Sequence, residues 1–237
     1  MNEFDGKPLV IRHRVNTIED LKRVHPRYGV EIDIKHDPWT DRLYLSHDPK
    51  AYDQKTGAKP GDDFQEYMEV FAEKGNRFVI FNAKETGIEG RVIDAAGKLG
   101  VENYFLLDVE FPFIYRAAFG SGVPNLNGRV AIRYSEAEPI EQALLLKDKF
   151  GWVWVDVNTR LPLDPESYKR LKDGGYKLAL VCPSRWGRPQ DIPNYIGQMK
   201  RDGVKIDTVM TAEAYVNQWE NSGVLNPFFS LKSKEMQ

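Results

Sequence analysis

Short apolar runs alternate with longer segments of helical spacing eight times along this chain, and that rhythm constrains the fold more than any other property of the sequence. Runs of about five apolar residues suit buried strands, and the amphipathic stretches between them suit crossover helices. Strands are expected over 8–13, 28–34 with a return strand over 43–45, 77–84, 104–110, 129–135, 152–157, 176–182 and 204–211. The first helix opens at Asn16 or Thr17 and ends by Pro26, and others are expected over 62–74, 88–99, 112–119, 138–150, 165–172, 191–201 and 212–219. Regular alternation with short connections is the pattern of an α/β, (β/α)8 TIM barrel. An open doubly wound sheet would also alternate, but the chain lacks the glycine-rich nucleotide loop that such sheets carry. One domain spanning 1–237 is expected, with 221–237 as a tail.

The charge balance narrows the partners. A formal net charge of −2 leaves no basic excess of the kind that binds nucleic acid, so a small-molecule partner is expected. Cys182 is the single cysteine, which excludes an intrachain disulfide and a cysteine-rich zinc site. The opening MNEFDGKPL is polar, and no stretch approaches the roughly 18 apolar residues of a membrane span. A soluble, cytoplasmic protein with no transmembrane segment is the expectation.

In a barrel of this class the chemistry sits at the C-terminal ends of the strands. Polar or ionisable residues fall at or near those ends: His13, Glu31 and Asp33, Asn82 and Lys84, Asp108 and Glu110, Arg133, and Asp156. The stretch 28–49, YGVEIDIKHDPWTDRLYLSHDP, is the most informative. Period-2 alternation puts Tyr28, Val30, Ile32 and Ile34 on one face and Glu31 with Asp33 on the other, and the return strand runs into Ser46, His47 and Asp48. Carboxylates two apart can hold a hard divalent cation, beside which a histidine can move a proton to or from a phosphate ester. A half-exposed edge strand followed by an ordinary loop histidine accounts for the same residues.

His13 and Arg14, Glu31 and Asp33, His47 and Asp48, and Lys84 resemble the glycerophosphodiester phosphodiesterase family and its wider phospholipase C-like superfamily. The spacing is also similar to that of sphingomyelinase D-type phospholipases. The resemblance is carried by the first 90 residues and is architectural beyond them. It implies a (β/α)8 barrel, one Mg²⁺ or Ca²⁺ ion and a small-molecule phosphodiester substrate. It further implies Glu31 and Asp33 as metal ligands, Arg14 and Lys84 as phosphate-binding residues, and His13 with His47 as general acid and base, in either order.

The chain departs from the family in two places. Val15 follows Arg14 where the family has glycine, and Asn82 stands where the family has a carboxylate. An amide oxygen can ligate Mg²⁺ or Ca²⁺ without adding charge. Weaker metal binding is therefore expected, unless Asp108 or Glu110 substitutes. Arg133 and Asp156 either line the substrate pocket or pair with each other. Trp152 and Trp154 either fill the barrel or, for Trp154, face substrate. Arg185, Trp186 and Arg188 follow strand seven, where a headgroup contact and a solvated loop are both consistent with the sequence. His25 and His36 are expected at the surface and Cys182 as a packed thiol. The residues fit a metal-dependent phosphodiesterase of a glycerophosphodiester or lysophospholipid-like substrate, and alternatively a non-catalytic phosphate-binding barrel. No GxSxG elbow or Walker loop supports a serine hydrolase or nucleotidase.

Overall fold

The computed structural model describes residues 4–48, 61–120, 126 and 128–229. Each parallel strand is followed by a helix. β1 (Leu9–Arg12) leads to α1 (Ile18–Arg23), and β2 (Gly29–Asp37) leads through β3 (Arg42–Leu45) and β4 (Asp62–Asp63) to α2 (Phe64–Lys74). β5 (Val79–Ala83), β6 (Tyr104–Leu107) and β7 (Ala131–Tyr134) precede α3 (Glu89–Lys98), α4 (Phe111–Phe119) and α5 (Ile140–Leu145). β8 (Trp152–Val155), β9 (Lys177–Val181) and β10 (Thr208–Thr211) precede α6 (Pro165–Asp173), α7 (Ile192–Arg201) and α8 (Val216–Glu220). This is the α/β, (β/α)8 class that the alternation predicts. No helix among the described residues is long and apolar enough to cross a membrane.

The chain divides into two compact units, one drawn from His13–Asn125 and the other from Asn2–Arg12 with Leu126–Phe229. In the first, β2 pairs in parallel with β5 and β5 with β6, while β3 and β4 add antiparallel on the other side of β2. β2 is thus hydrogen-bonded on both edges, and its faces are both covered: Val30, Ile32 and Ile34 are fully buried, and so are Glu31 and Asp33 at 1% exposure. That observation removes the half-exposed edge strand. In the second unit β1, β10, β9, β8 and β7 run parallel in that order.

Local chemistry sets the helix starts. Thr17, not Asn16, caps α1, accepting the Asp20 N–H at 3.0 Å, with Glu19 and Asp20 in the first turn. Asp63 caps α2, so this helix begins at Phe64, and Gly75 ends it at φ 70°. Asp164 and Ser167 form a capping box at α6. Several elements are shorter than expected, α5 and β10 for visible local reasons. α5 stops at Leu145, and Asp148 takes a left-handed φ of 65° a turn later. β10 begins at Thr208 because Ile206 bridges Leu225 and the Asp207 carboxylate accepts from Leu178 N and Asn226 Nδ2. The residues taken as a tail start as core: Val224, Leu225 and Phe228 are buried, and Pro227 bridges Pro8. Burial of these three apolar side chains is favoured over exposure to water.

Candidate active site

Four hydrogen bonds zip the turn after β1 onto β2. Arg14 N donates to Glu31 Oε2 at 2.8 Å, Val15 N to the Glu31 carbonyl at 2.9 Å, Asn16 Nδ2 to Asp33 Oδ2 at 2.8 Å, and Asp33 N to Asn16 Oδ1 at 2.8 Å. The turn places a left-handed residue at Arg14, φ 54°, while Val15 is not among the positive-φ residues. A valine is therefore compatible with this turn. The strain falls on Arg14, at about 1 kcal/mol for a non-glycine residue, and the carboxylate contact to its own N–H opposes it.

The same strand anchors the other candidate residues. Ser46 N donates to the Asp33 carbonyl at 3.0 Å, which sets down His47, and Lys84 N donates to the Ile34 carbonyl at 3.0 Å. Glu31 to Ile34 therefore acts as a hub for His13, Arg14, His47 and Lys84. His13 Nε2 lies 4.0 Å from Glu31 Oε2. His47 Nδ1 donates to Asp48 Oδ1 at 2.8 Å, which leaves Nε2 to accept a short contact from Arg14 Nη2. That pairing selects the Nδ1–H tautomer of a neutral imidazole. A cavity of about 290 Å³ opens beside His47, lined by Asn16, Thr17, Ser46, Asp48 and Asp62 among others. A larger one of about 570 Å³, lined by Arg42, Asp63, Arg91 and Lys98 among others, contains none of the candidate residues.

Glu31 is strongly perturbed. Burial, and then the adjacent Asp33 carboxylate, push the Glu31 carboxyl up to about 7, against opposing hydrogen bonds from Asn82 and the Arg14 N–H and the charge of Lys84. Asn82, in register with Asp33 on the neighbouring strand, donates through Nδ2 to Glu31 Oε1 at 2.9 Å. Lys84 Nζ lies 3.0 Å from Asp33 Oδ1 and 3.5 Å from Asp108 Oδ2. Asp108, also left-handed at φ 60°, meets the cluster through Lys84. Glu110 is exposed, and its carbonyl accepts from Phe113 and Ile114 at the start of α4.

Two buried oxygens here, Asp33 Oδ1 and Asn82 Oδ1, have no hydrogen-bond donor, although Lys84 supplies charge to the first. An unpaired amide oxygen and an ion-paired carboxylate oxygen on adjacent strands, beside a second carboxylate, are a donor set that suits Mg²⁺ or Ca²⁺. Among the described residues no group of three or more His, Cys, Asp or Glu side chains stands ready to hold a metal. Asn82, beside Glu31 and Asp33, could add only an amide oxygen to such a set.

Arg133, Trp154, Asp156 and the residues after β9 belong to the second unit. Arg133 is engaged by two carboxylates, Glu138 at 2.6 Å and Asp156 at 2.8 Å, and Asp156 also accepts from Trp186 Nε1 and Val157 N, each at 2.8 Å. Pairing is therefore the arrangement these two residues adopt. Trp154 is 3% exposed and belongs to the core of that unit. Arg188 binds the backbone carbonyls of Val157, Asn158 and Thr159 together with Asp191 and Tyr195, the work of a loop clamp. Trp186 is 44% exposed and stacks against Arg185. Cys182 is buried and accepts from Trp219 Nε1 and Ser184 Oγ. His25 is exposed, and His36 pairs with Asp41 at 2.8 Å.

Asn16 is the site residue that the sequence pattern did not single out. Its position, two residues before α1, reads as a helix cap, and only the packing of the turn against β2 gives it a carboxylate partner.

No protein-family model matches the chain, and a search of curated proteins finds no match. Among solved structures, a glycerophosphodiester phosphodiesterase from Parabacteroides distasonis is 15% identical, over 93% of this chain and 91% of that one, with a TM-score of 0.45. A mutant tryptophan synthase alpha-subunit from Pyrococcus furiosus is 14% identical, over 92% and 93%, with a TM-score of 0.50. A second mutant of that subunit gives the same identity and coverage at 0.48. At these identities the likeness concerns the fold alone, and the match at 0.50 carries it: this chain is similar in fold to a (β/α)8 barrel.

Proposed function

We propose that this chain is a metal-dependent phosphodiesterase of a glycerophosphodiester or lysophospholipid-like substrate. The observation that carries the reading is the hub on β2. Backbone contacts to Glu31, Asp33 and Ile34 anchor two histidine-bearing turns and a lysine, and the first of those turns also carries an arginine. Glu31, Asp33 and Asn82 would hold Mg²⁺ or Ca²⁺, which supplies positive charge to the phosphoryl oxygens. Arg14 and Lys84 would bind the same oxygens, Arg14 by moving its guanidinium from His47 Nε2 to the phosphate. That move frees an unprotonated nitrogen whose ring is oriented by Asp48, the configuration of a general base. His47 then takes the proton of the attacking hydroxyl, from water or from the substrate itself. His13, 4.0 Å from Glu31 Oε2, would donate a proton to the leaving oxygen. Attack by water gives a phosphomonoester such as glycerol phosphate, and attack by a neighbouring substrate hydroxyl gives a cyclic phosphate.

The test is product release from glycerophosphocholine and related diesters with Mg²⁺ or Ca²⁺ supplied. Activity that survives the double substitution His13→Ala, His47→Ala would overturn the assignment. The amide of Asn82 favours a second reading, a phosphate-binding barrel without turnover. Under that reading, phosphate ligands raise the melting temperature while no diester in the panel is cleaved.

A further inference from the structure

Asn16 spends both ends of its amide on one residue. Nδ2 donates to Asp33 Oδ2 and Oδ1 accepts the Asp33 N–H, each at 2.8 Å, so the backbone and the side-chain torsion of Asp33 are fixed together. One carboxylate oxygen is thereby taken by a neutral donor. The other, Oδ1, is buried and is engaged, among the described residues, only by the Lys84 ammonium, at 3.0 Å.

We propose that Asn16 is a positioning residue that restricts Asp33 to single-oxygen ligation and so biases the site toward Mg²⁺ over Ca²⁺. The inference rests on the reading of Glu31 and Asp33 as the cation's carboxylates. Mg²⁺ demands near-octahedral geometry and takes carboxylates through one oxygen, whereas Ca²⁺ accepts six to eight oxygens and takes carboxylates through one or both. Without the Asn16 amide, Asp33 Oδ2 loses its donor and is free to turn toward the ion. Ca²⁺ gains a ligand from that freedom, and Mg²⁺ loses an ordered one. Partners behind a ligand are typically worth about 10–100-fold in metal affinity.

The experiment is calorimetric titration of Mg²⁺, and separately of Ca²⁺, into the full chain, Asn16→Ala and Asn16→Ser. Loss of the binding heat in Asp33→Asn identifies it with this site. Serine keeps a hydroxyl able to accept the Asp33 N–H, so it decides the matter if the alanine variant does not fold. Mg²⁺ affinity is expected to fall about tenfold in both variants while Ca²⁺ affinity falls less or rises. The Ca²⁺ to Mg²⁺ affinity ratio then climbs, which a general loosening of the turn would not produce. If the parent binds a cation and the ratio stays constant across the variants, the role given to Asn16 is wrong while the cation reading stands. If the parent binds neither cation, the cation reading fails and the role of Asn16 fails with it.

Discussion

Replacing Glu31 by glutamine should stabilise the metal-free protein, and only above a defined pH. The Glu31 carboxyl holds its proton to about 7 in the folded protein against 4.5 for a free side chain. Between those values the unfolded chain has released a proton that the folded chain still binds. Stability of the parent therefore falls as pH rises across this window and levels off above it, and a difference of about 2.5 pKa units corresponds to about 3 kcal/mol. Glutamine carries no such cost. It also fits the hydrogen bonds: its oxygen can face the Arg14 N–H, and its amide can donate to Asn82 once that side chain turns over, which gives the unpaired Asn82 Oδ1 a donor. Thermal unfolding of both proteins in chelator from pH 4 to 8.5 reads the effect. The melting temperatures should coincide near pH 4 and separate by about 10 °C near pH 8, at roughly 2–4 °C per kcal/mol for a chain of this size. Mg²⁺ should narrow the gap by stabilising the ionised parent. A difference that stays flat with pH, or one in which glutamine becomes the less stable side chain as pH rises, refutes the argument that Glu31 is ionised at a cost.

Asn82→Asp adds a charge to the donor set and should raise Mg²⁺ and Ca²⁺ affinity about tenfold or more by calorimetry; no gain would remove Asn82 from the ligands. His13→Ala and His47→Ala should each lower kcat on a cleaved diester by about 100-fold or more, the usual worth of a positioned proton donor or acceptor. Asp156→Ala strips Arg133 and the Trp186 indole of a shared partner, and should destabilise the protein by about 3 kcal/mol in urea unfolding. An unchanged midpoint would show that the Arg133 pair is dispensable.

The alternation of strand and helix was legible because burial imposes period 2 and period 3.6 directly on residue type, and each expected strand has a counterpart in the structure. The hub on β2 was legible for the same reason, since two carboxylates two apart on an apolar strand have to share a face. Whether that face met water or the interior was not legible, because it depends on residues distant in sequence packing over the strand. Asn16 looked like a helix cap because its true partner, Asp33, is brought to it by packing and not by spacing. The glycine missing after Arg14 looked like an obstacle, yet the left-handed residue is Arg14 itself, and a turn's φ values cannot be read from a single absent glycine. Arg133 and Asp156 are 23 residues apart, one on β7 and the other just past the end of β8, and only the register of those strands made their pairing visible.

Diffraction from crystals soaked with Mn²⁺ in place of Mg²⁺, together with glycerol phosphate, examines the proposed chemistry at its centre. The anomalous peak should fall on the oxygens of Glu31 and Asp33, with the phosphorus between the imidazoles of His13 and His47 and a guanidinium contact from Arg14. A manganese peak away from β2, or a phosphate out of reach of either imidazole, would contradict it.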